Sequence, residues 1–439
     1  MDHQQFVMPL RLIALIGSCL VLQGVSAQSI TPDDLTHLTG VYRHLHAHPE
    51  LSMQEVATSS YLTAELDKIG LTWRHPIGGH GIAGLLENGD GPTILLRTDM
   101  DALPLVEKTG APYASNVMVE KDGTPTGVMH ACGHDLHMTV WLGTLGYLAT
   151  HRHTWKGRIL FVAQSAEETG QGAKRMLDDG LYDLFPRPDL ALAWHTSADL
   201  PSTAVGICPG WAMANVDMLS ILVRGVGGHG ASPHLAIDPV VTAAKIVVDL
   251  QTIVSRESSP FDPAVVTVGA IHGGTVGNII PDEVRLELTV RSFGDEQRAS
   301  LIQAIERTCW GTAIAAGIPD TLLPVVTVRD MFTPALYNDP ELSRTARGIL
   351  EELLGKEQVV EIAPQTIGED FSRYGRQDPA IPSLMMRLGT VDPAVLASTP
   401  TTALPGLHSP YYLPDVERAI PLGIRAMTHL INRITTDDH

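Results

Sequence analysis

Thr93-Ile94-Leu95-Leu96-Arg97-Thr98, followed by Asp99-Met100-Asp101, decides how the rest of the chain is read. A short, almost continuous apolar run suits a strand buried on both faces of a parallel sheet, and acidic residues stand where this run ends. The arrangement recurs twice. Residues 158–164 (RILFVAQ) lead into Ser165-Ala166-Glu167-Glu168, and residues 189–194 (DLALAW) lead into His195. Helical patterns at 137–150 and 172–179 separate the runs, and two helices at 32–48 and 55–69 precede them, closed by Pro49 and Gly70. The expected class is α/β, a mixed and largely parallel sheet flanked by helices. Such sheets gather ligands at the carboxyl ends of their strands. Asp99, Asp101, Glu167, Glu168 and His195 are therefore candidate site residues.

Near Gly210 the rhythm changes. Residues 217–226 read as a half-exposed strand with Leu219, Ile221 and Val223 on one side, and 238–256 as a helix. Strands at 264–272 and 283–293, a helix at 295–316 and a strand at 322–329 complete a β-α-β-β-α-β order, that of a ferredoxin-like module. The chain then returns to helix (340–354), strand (383–388) and a final helix (415–434). Residues 210–330 are thus expected as an insertion between the two parts, 28–209 and 331–439, of the main domain.

The 439 residues exceed one ordinary core, which agrees with two domains. Arg11, the apolar run 12–22 and Val25-Ser26-Ala27 form a secretory signal, with cleavage predicted after Ala27 and a periplasmic or secreted product. The run falls short of the ~20 residues of a spanning helix, so no membrane association is expected after its removal. An uncleaved anchor is one alternative. Lipidation at Cys19 is another, although the apolar run continues past that residue. Asp and Glu number 49 against 30 Lys and Arg, for a net charge of −19; this leaves no basic footprint for nucleic acid and points to a small-molecule partner. Outside the leader, Cys132, Cys208 and Cys309 are odd in number and far apart, unlike a disulfide framework.

His130-Ala131-Cys132-Gly133-His134-Asp135-Leu136-His137 lies between the first two strands. Cys132 and His134 are placed on a turn entering a helix, with Gly133 allowing the bend. A helix N-terminus favours a thiolate, and a thiolate suits a borderline-soft cation such as zinc. Cys132 alone would read as a buried cysteine beside helix caps; histidines and an aspartate around it favour a metal. Glu167-Glu168 offers one carboxylate to bind a cation and one to carry protons, the two tasks of metal-assisted amide hydrolysis. The alternative is acidic charge at a helix N-terminus.

Assembled, these segments resemble the metallopeptidase family of hippurate hydrolases, N-acyl-amino-acid amidohydrolases and plant auxin-conjugate (IAA-amino acid) hydrolases, over nearly the whole chain after the leader. The likeness runs through HAHPELS (46–52), RTDMDALP (97–104), HACGHDLH (130–137), Glu167-Glu168, HGASPH (229–234), GGTVGNIIPDE (273–283) and LHSPYY (407–412). It implies an aminoacylase-like hydrolase of N-acyl amino acids with two divalent ions (zinc, manganese, cobalt or nickel) on Cys132, His134, Glu168, His195 and His408. It implies further that Glu167 is general base and acid, and that Asp101 orients the ligands from behind. The insertion resembles the family's lid and dimerisation domain, which implies a homodimer or a higher homo-oligomer, with His229 on the oxyanion and Asn278 and Arg291 on the substrate carboxylate, a task suited to arginine's planar fork. Taken alone, Arg291 would read as a surface ion pair and Asn278 as a loop cap. Asp99 stands where more distant relatives have a histidine ligand, so its role stays open, and Ser165 replaces a common proline. The rivals are a dipeptidase or carboxypeptidase of the same chemistry and a metal-dependent binding protein without catalysis. A serine or cysteine hydrolase is disfavoured because a ligated Cys132 is not free to attack.

Overall fold

Two helices open the described chain. In α1 (Pro32–Ala47) the Thr31 hydroxyl accepts from the Asp34 amide and Pro32 stands in the first turn, while α2 (Val56–Ile69) closes on Gly70 at φ 80°. This is a computed structural model that describes residues 30–121 and 123–436. The leader, its cleavage after Ala27 and Cys19 lie outside the described residues.

Next come β1 (Trp73–Ile77), β2 (Gly81–Asn88), β3 (Thr93–Asp99), α3 (His134–Thr150), β4 (Gly157–Gln164), α4 (Gly172–Asp178), β5 (Leu190–Pro201) and β6 (Val205–Ile207). After the insertion follow α7 (Pro340–Leu354), β11 (Val359–Glu361), β12 (Ser383–Val391) and α8 (Val416–Thr436). The eight-stranded sheet runs β1-β2-β4-β3-β5-β12-β6-β11. Its centre, β4-β3-β5-β12, is parallel, and the β1-β2-β4 and β12-β6 pairings are antiparallel. All seven residues of β3 are buried, as its apolar run requires.

The α3 helix is apolar nearly all round because it is enclosed on all sides. It lies among β3, α1 and α8, and Gly143 lets Ile424 come so near that a Cβ there would sit 2.2 Å from the isoleucine Cδ1. Two expected boundaries shift. α3 begins at His134 rather than 137 because Gly133, at φ 81°, starts the helix immediately behind it. β5 runs on through His195 to Pro201 because β12 stays paired alongside it, from Ser383↔Ala191 to Val391↔Pro201.

The intervening residues build a second sheet from β7 (Asn215–Arg224), β8 (Val265–Gly273), β9 (Glu283–Ser292) and β10 (Val325–Val328), antiparallel throughout in the order β8-β9-β7-β10. α5 (Pro239–Thr252) and α6 (Asp295–Ala315) cover one face, burying Leu219, Ile221, Val223, Ile246, Leu286 and Ile305 in a core of their own. The chain leaves and re-enters the main sheet side by side, where Gly210–Met213 pairs with Leu336–Asn338. Asn338 holds that junction through Cys208 O at 2.9 Å and both backbone groups of Met385 at 2.9 and 3.0 Å. Among the described residues, no helix is long and apolar enough to cross a membrane.

Candidate metal centre

The carboxyl ends of β3 and β4, the middle of β5 at His195 and the start of α3 meet at one place. Cys132, His134 and His195 present ligand atoms all within 4.8 Å of one another; so do Cys132, Glu168 and His408, and so do His134, Glu167 and Glu168. Cys132 Sγ lies 3.7 Å from His195 Nε2, and Glu168 Oε2 lies 3.6 Å from His408 Nε2. Ligands of one tetrahedral cation with bonds of about 2.1 Å stand about 3.4 Å apart, so these separations suit shared coordination. All five predicted ligands therefore belong to one connected cluster.

The imidazoles are set for the task. His134 Nδ1 faces Asp101 O at 2.8 Å and His195 Nδ1 faces Thr196 O at 2.9 Å. A carbonyl only accepts, so each Nδ1 carries the proton and each Nε2 turns a lone pair towards the cluster. His134 Nε2 and Glu168 Oε1 are buried without any hydrogen-bond partner, which natural proteins seldom tolerate. Two nitrogen lone pairs, a thiol and a carboxylate with orphaned atoms are a donor set that fits a divalent metal.

Backbone strain accompanies the site. Ala166 at φ 54° and His408 at φ 63° occupy the left-handed region that non-glycine residues avoid. Gln171 N and Gly172 N on Ala166 O, and His408 N on Ala131 O at 2.8 Å, help hold them there. Asp101 touches the candidate ligands through both its side chain and its backbone. Its carboxylate accepts from the amides of Glu167 (3.1 Å) and Glu168 (3.0 Å) and from Ser52 Oγ (2.5 Å), whereas its carbonyl fixes His134. The paired glutamates are thus clamped through their backbone.

Asp99 is 0% exposed and 3.6 Å from His134 Nε2. Its other partners are His137 Nδ1 at 2.7 Å and Arg97 Nη1 at 2.7 Å. Because the Thr196 amide donates to His137 Nε2 at 2.8 Å, His137 is a neutral strut with both nitrogens occupied. Arg97 is a buried hub that also donates to Gln164, Glu369 and Asp370. Sequence reasoning missed this hub; the one signal was a charged residue inside an otherwise apolar strand.

Electrostatics follow from this crowding. Burial works against ionised Asp99, but the His134 ring, the Arg97 guanidinium and the hydrogen bond from His137 Nδ1 outweigh it and hold its carboxyl well below the usual range. Burial, then Glu369 and Glu168, push Glu167 well above the carboxylate range. Glu168 is raised to about 8, mainly by burial. Contrary to the helix-terminus expectation, burial and Glu168 push the Cys132 thiol up. A nearby cation is what would turn it into a thiolate.

A model of the peptidase family M20/M25/M40 matches residues 95–433. The chain belongs to this family. It is 37% identical over 342 residues to the N-acetyl-L-cysteine deacetylase of Bacillus subtilis, 77% of each chain. It is 33% identical over 400 residues to an IAA-amino acid hydrolase of Arabidopsis thaliana, covering 90% of this chain and 84% of that one. Its fold matches the crystal structure of a dinuclear metal-binding M20 peptidase from Bacillus subtilis with a TM-score of 0.75 and 29% identity, over 92% of this chain and 99% of that one.

The remaining predicted residues of this M20 chain lie in the 210–330 insertion, Arg291 on its four-stranded sheet and His229 and Asn278 at a separate short ladder. His229 and Ile279 face each other in a short ladder, Gly230 N donates to Asn278 O at 2.8 Å, and both His229 and Asn278 are exposed. Arg291 is half-buried on β9, paired with Val216 and Val265. Among the described residues no hydrogen bond or ion pair joins these three to the cluster.

Proposed function

We propose that this protein is a metal-dependent amidohydrolase that cleaves the amide bond of N-acyl amino acids. The observation that carries the reading is Glu167. It is buried, 3.9 Å from His134 Nε2 and directly beside Glu168, yet absent from the predicted ligand set. Two divalent cations, held by Cys132, His134, Glu168, His195 and His408, would lower the pKa of a nearby water and polarise the acyl carbonyl.

Glu167 takes a proton from the attacking water at its carboxylate and later delivers it to the departing amine nitrogen. Its raised proton affinity suits both halves of that relay. Asp101 keeps Glu167 and Glu168 in register through their amides. Closure of the 210–330 insertion over the strand ends brings His229 to the developing oxyanion and Asn278 and Arg291 to the substrate carboxylate, and excludes bulk water.

The activities named for the relatives, deacetylation of N-acetyl-L-cysteine and hydrolysis of IAA-amino acids, support an acyl amino acid in preference to an unblocked peptide. The test is Glu167→Ala assayed on N-acyl amino acids and on dipeptides. Metal content stays near that of the parent while turnover falls by at least roughly 10²-fold. An active variant removes Glu167 from the role, and a parent enzyme that prefers dipeptides replaces the substrate class.

A further inference from the structure

The chain buries two guanidinium groups beside the centre, and they are treated in opposite ways. Arg97 has three carboxylates within ion-pair distance. Arg387, only 5% exposed, has none among the described residues. Its hydrogen bonds are Nη2 to Gln365 Oε1 at 2.7 Å and Nη1 to the Thr196 carbonyl at 3.5 Å, the outer limit of such a bond. A guanidinium has five N–H donors. A buried charge left so poorly paired is costly unless a partner arrives from outside.

The surroundings indicate where that partner would come from. Arg387 stands opposite His195 in the parallel β12–β5 ladder, so the two side chains leave the sheet on the same face. Arg387 borders a cavity of about 490 Å³ together with Thr196, Ser197, Asp199, Gln365 and Leu407. Thr196 follows the candidate ligand His195 and Leu407 precedes the candidate ligand His408, so the cavity adjoins the metal centre. Asp199 is exposed and already takes the Ser197 hydroxyl; solvent screens its charge far more than that of the buried guanidinium.

We propose that Arg387 forms the base of a subsite that receives a carboxylate of the substrate. This rests on the amidohydrolase reading above and gives the buried guanidinium a part in binding its acidic substrates. The carboxylate is either the α-carboxylate of the amino acid, which Arg387 would share with Arg291 once the insertion closes, or a second one on its side chain. The planar fork of Arg387 can meet either with two parallel N–H···O bonds.

The test uses metal-loaded enzyme with Arg387 intact, Arg387→Met and Arg387→Lys. One substrate pair is an N-acyl amino acid and its α-carboxamide; the other is an N-acylglutamate and the matching N-acylglutamine. Arg387→Met should lower kcat/KM for the acid member of one pair by roughly 10- to 100-fold, the loss of a charge-assisted contact, and leave its amide partner nearly unchanged. The pair that responds identifies the carboxylate. Arg387→Lys should recover part of the loss, and the melting temperature of Arg387→Met should not fall, because the buried charge removed has no carboxylate at ion-pair distance among the described residues and its desolvation offsets the lost bond to Gln365.

Equal losses on acid and amide, or loss of bound metal, would overturn the proposal in favour of structural or ligand support. Calorimetric binding of the uncleavable ketomethylene isosteres of all four compounds separates this from the parent reading. If the parent enzyme turns over none of the substrates, the hydrolase reading falls, while acid isosteres weakened by Arg387→Met still uphold the subsite and unaltered binding refutes it.

Discussion

Asp101→Asn changes one atom in size and shape but asks the clamp on the glutamate pair to work without charge. The native carboxylate accepts three hydrogen bonds, from two backbone amides and Ser52. Bonds to a charged group contribute about 1.5–3 kcal/mol each against about 0.5–1.5 for neutral ones, so neutralisation alone removes roughly 1 kcal/mol per bond. The asparagine NH₂ also meets an N–H where an oxygen stood, leaving at least one buried donor unsatisfied at a further ~1–3 kcal/mol. Part of the loss is recovered as the turn after Ala166 relaxes its positive φ. We expect a net destabilisation of about 2–4 kcal/mol. Displacement of Glu167 by even ~1 Å should lower turnover by roughly 10²-fold. Denaturant titration with and without metal gives the first quantity, and initial rates on an N-acyl amino acid give the second. A variant as stable and as active as the parent would show that the three bonds do not hold the glutamates.

Further outcomes follow from the same geometry. Cys132→Ser exchanges a thiolate for a poor donor and should weaken metal binding by more than the roughly 10–100-fold typical of residues behind the ligands; equilibrium dialysis showing unaltered affinity would exclude Cys132 from the centre. Glu55 is buried, accepts from the Ala166 amide at 2.8 Å, and is raised by burial and Asp101 to about 7. A carboxyl raised on folding binds its proton more tightly in the native state, so its favourable contribution is complete below the unfolded value near pH ~4.3 and lost as pH rises through about 7. Glu55→Gln should therefore match the parent in acid and exceed it by up to roughly 3 kcal/mol above neutrality, as read by denaturation at a series of pH values. A constant difference across that range would contradict the burial of an ionising carboxyl there.

The features legible in the sequence are those in which one residue type carries an unmistakable local meaning. Apolar runs ending in acids locate β3 and β4 and the site at their ends, and alternation at Leu219, Ile221 and Val223 locates the inner face of β7. Other features depend on partners distant in sequence. Arg97 looks like an anomaly in its strand until Glu369 and Asp370, which follow no apolar run, are brought beneath it. His195 looks like the residue after a strand because a polar group ends the apolar pattern, whereas its ladder with Arg387 continues the pairing. The β1–β2 hairpin escapes notice because β1 is an edge strand with alternating exposure and a proline at position 76. The hold of Asp101 on the glutamate pair is hidden for a related reason: the donors it engages there are backbone amides, which leave no trace in residue type.

The position of β12 has a consequence for biosynthesis. This strand lies between β5 and β6 at the heart of the sheet, though almost 200 residues separate Ala191 from its partner Ser383. A ribosome that has delivered Cys132, His134, Glu168 and His195 has made most of the cage but neither the strand that braces it nor His408. Competence must therefore arrive late and all at once, so an interrupted translation product is inert, with an apolar groove open where a chaperone could grip it.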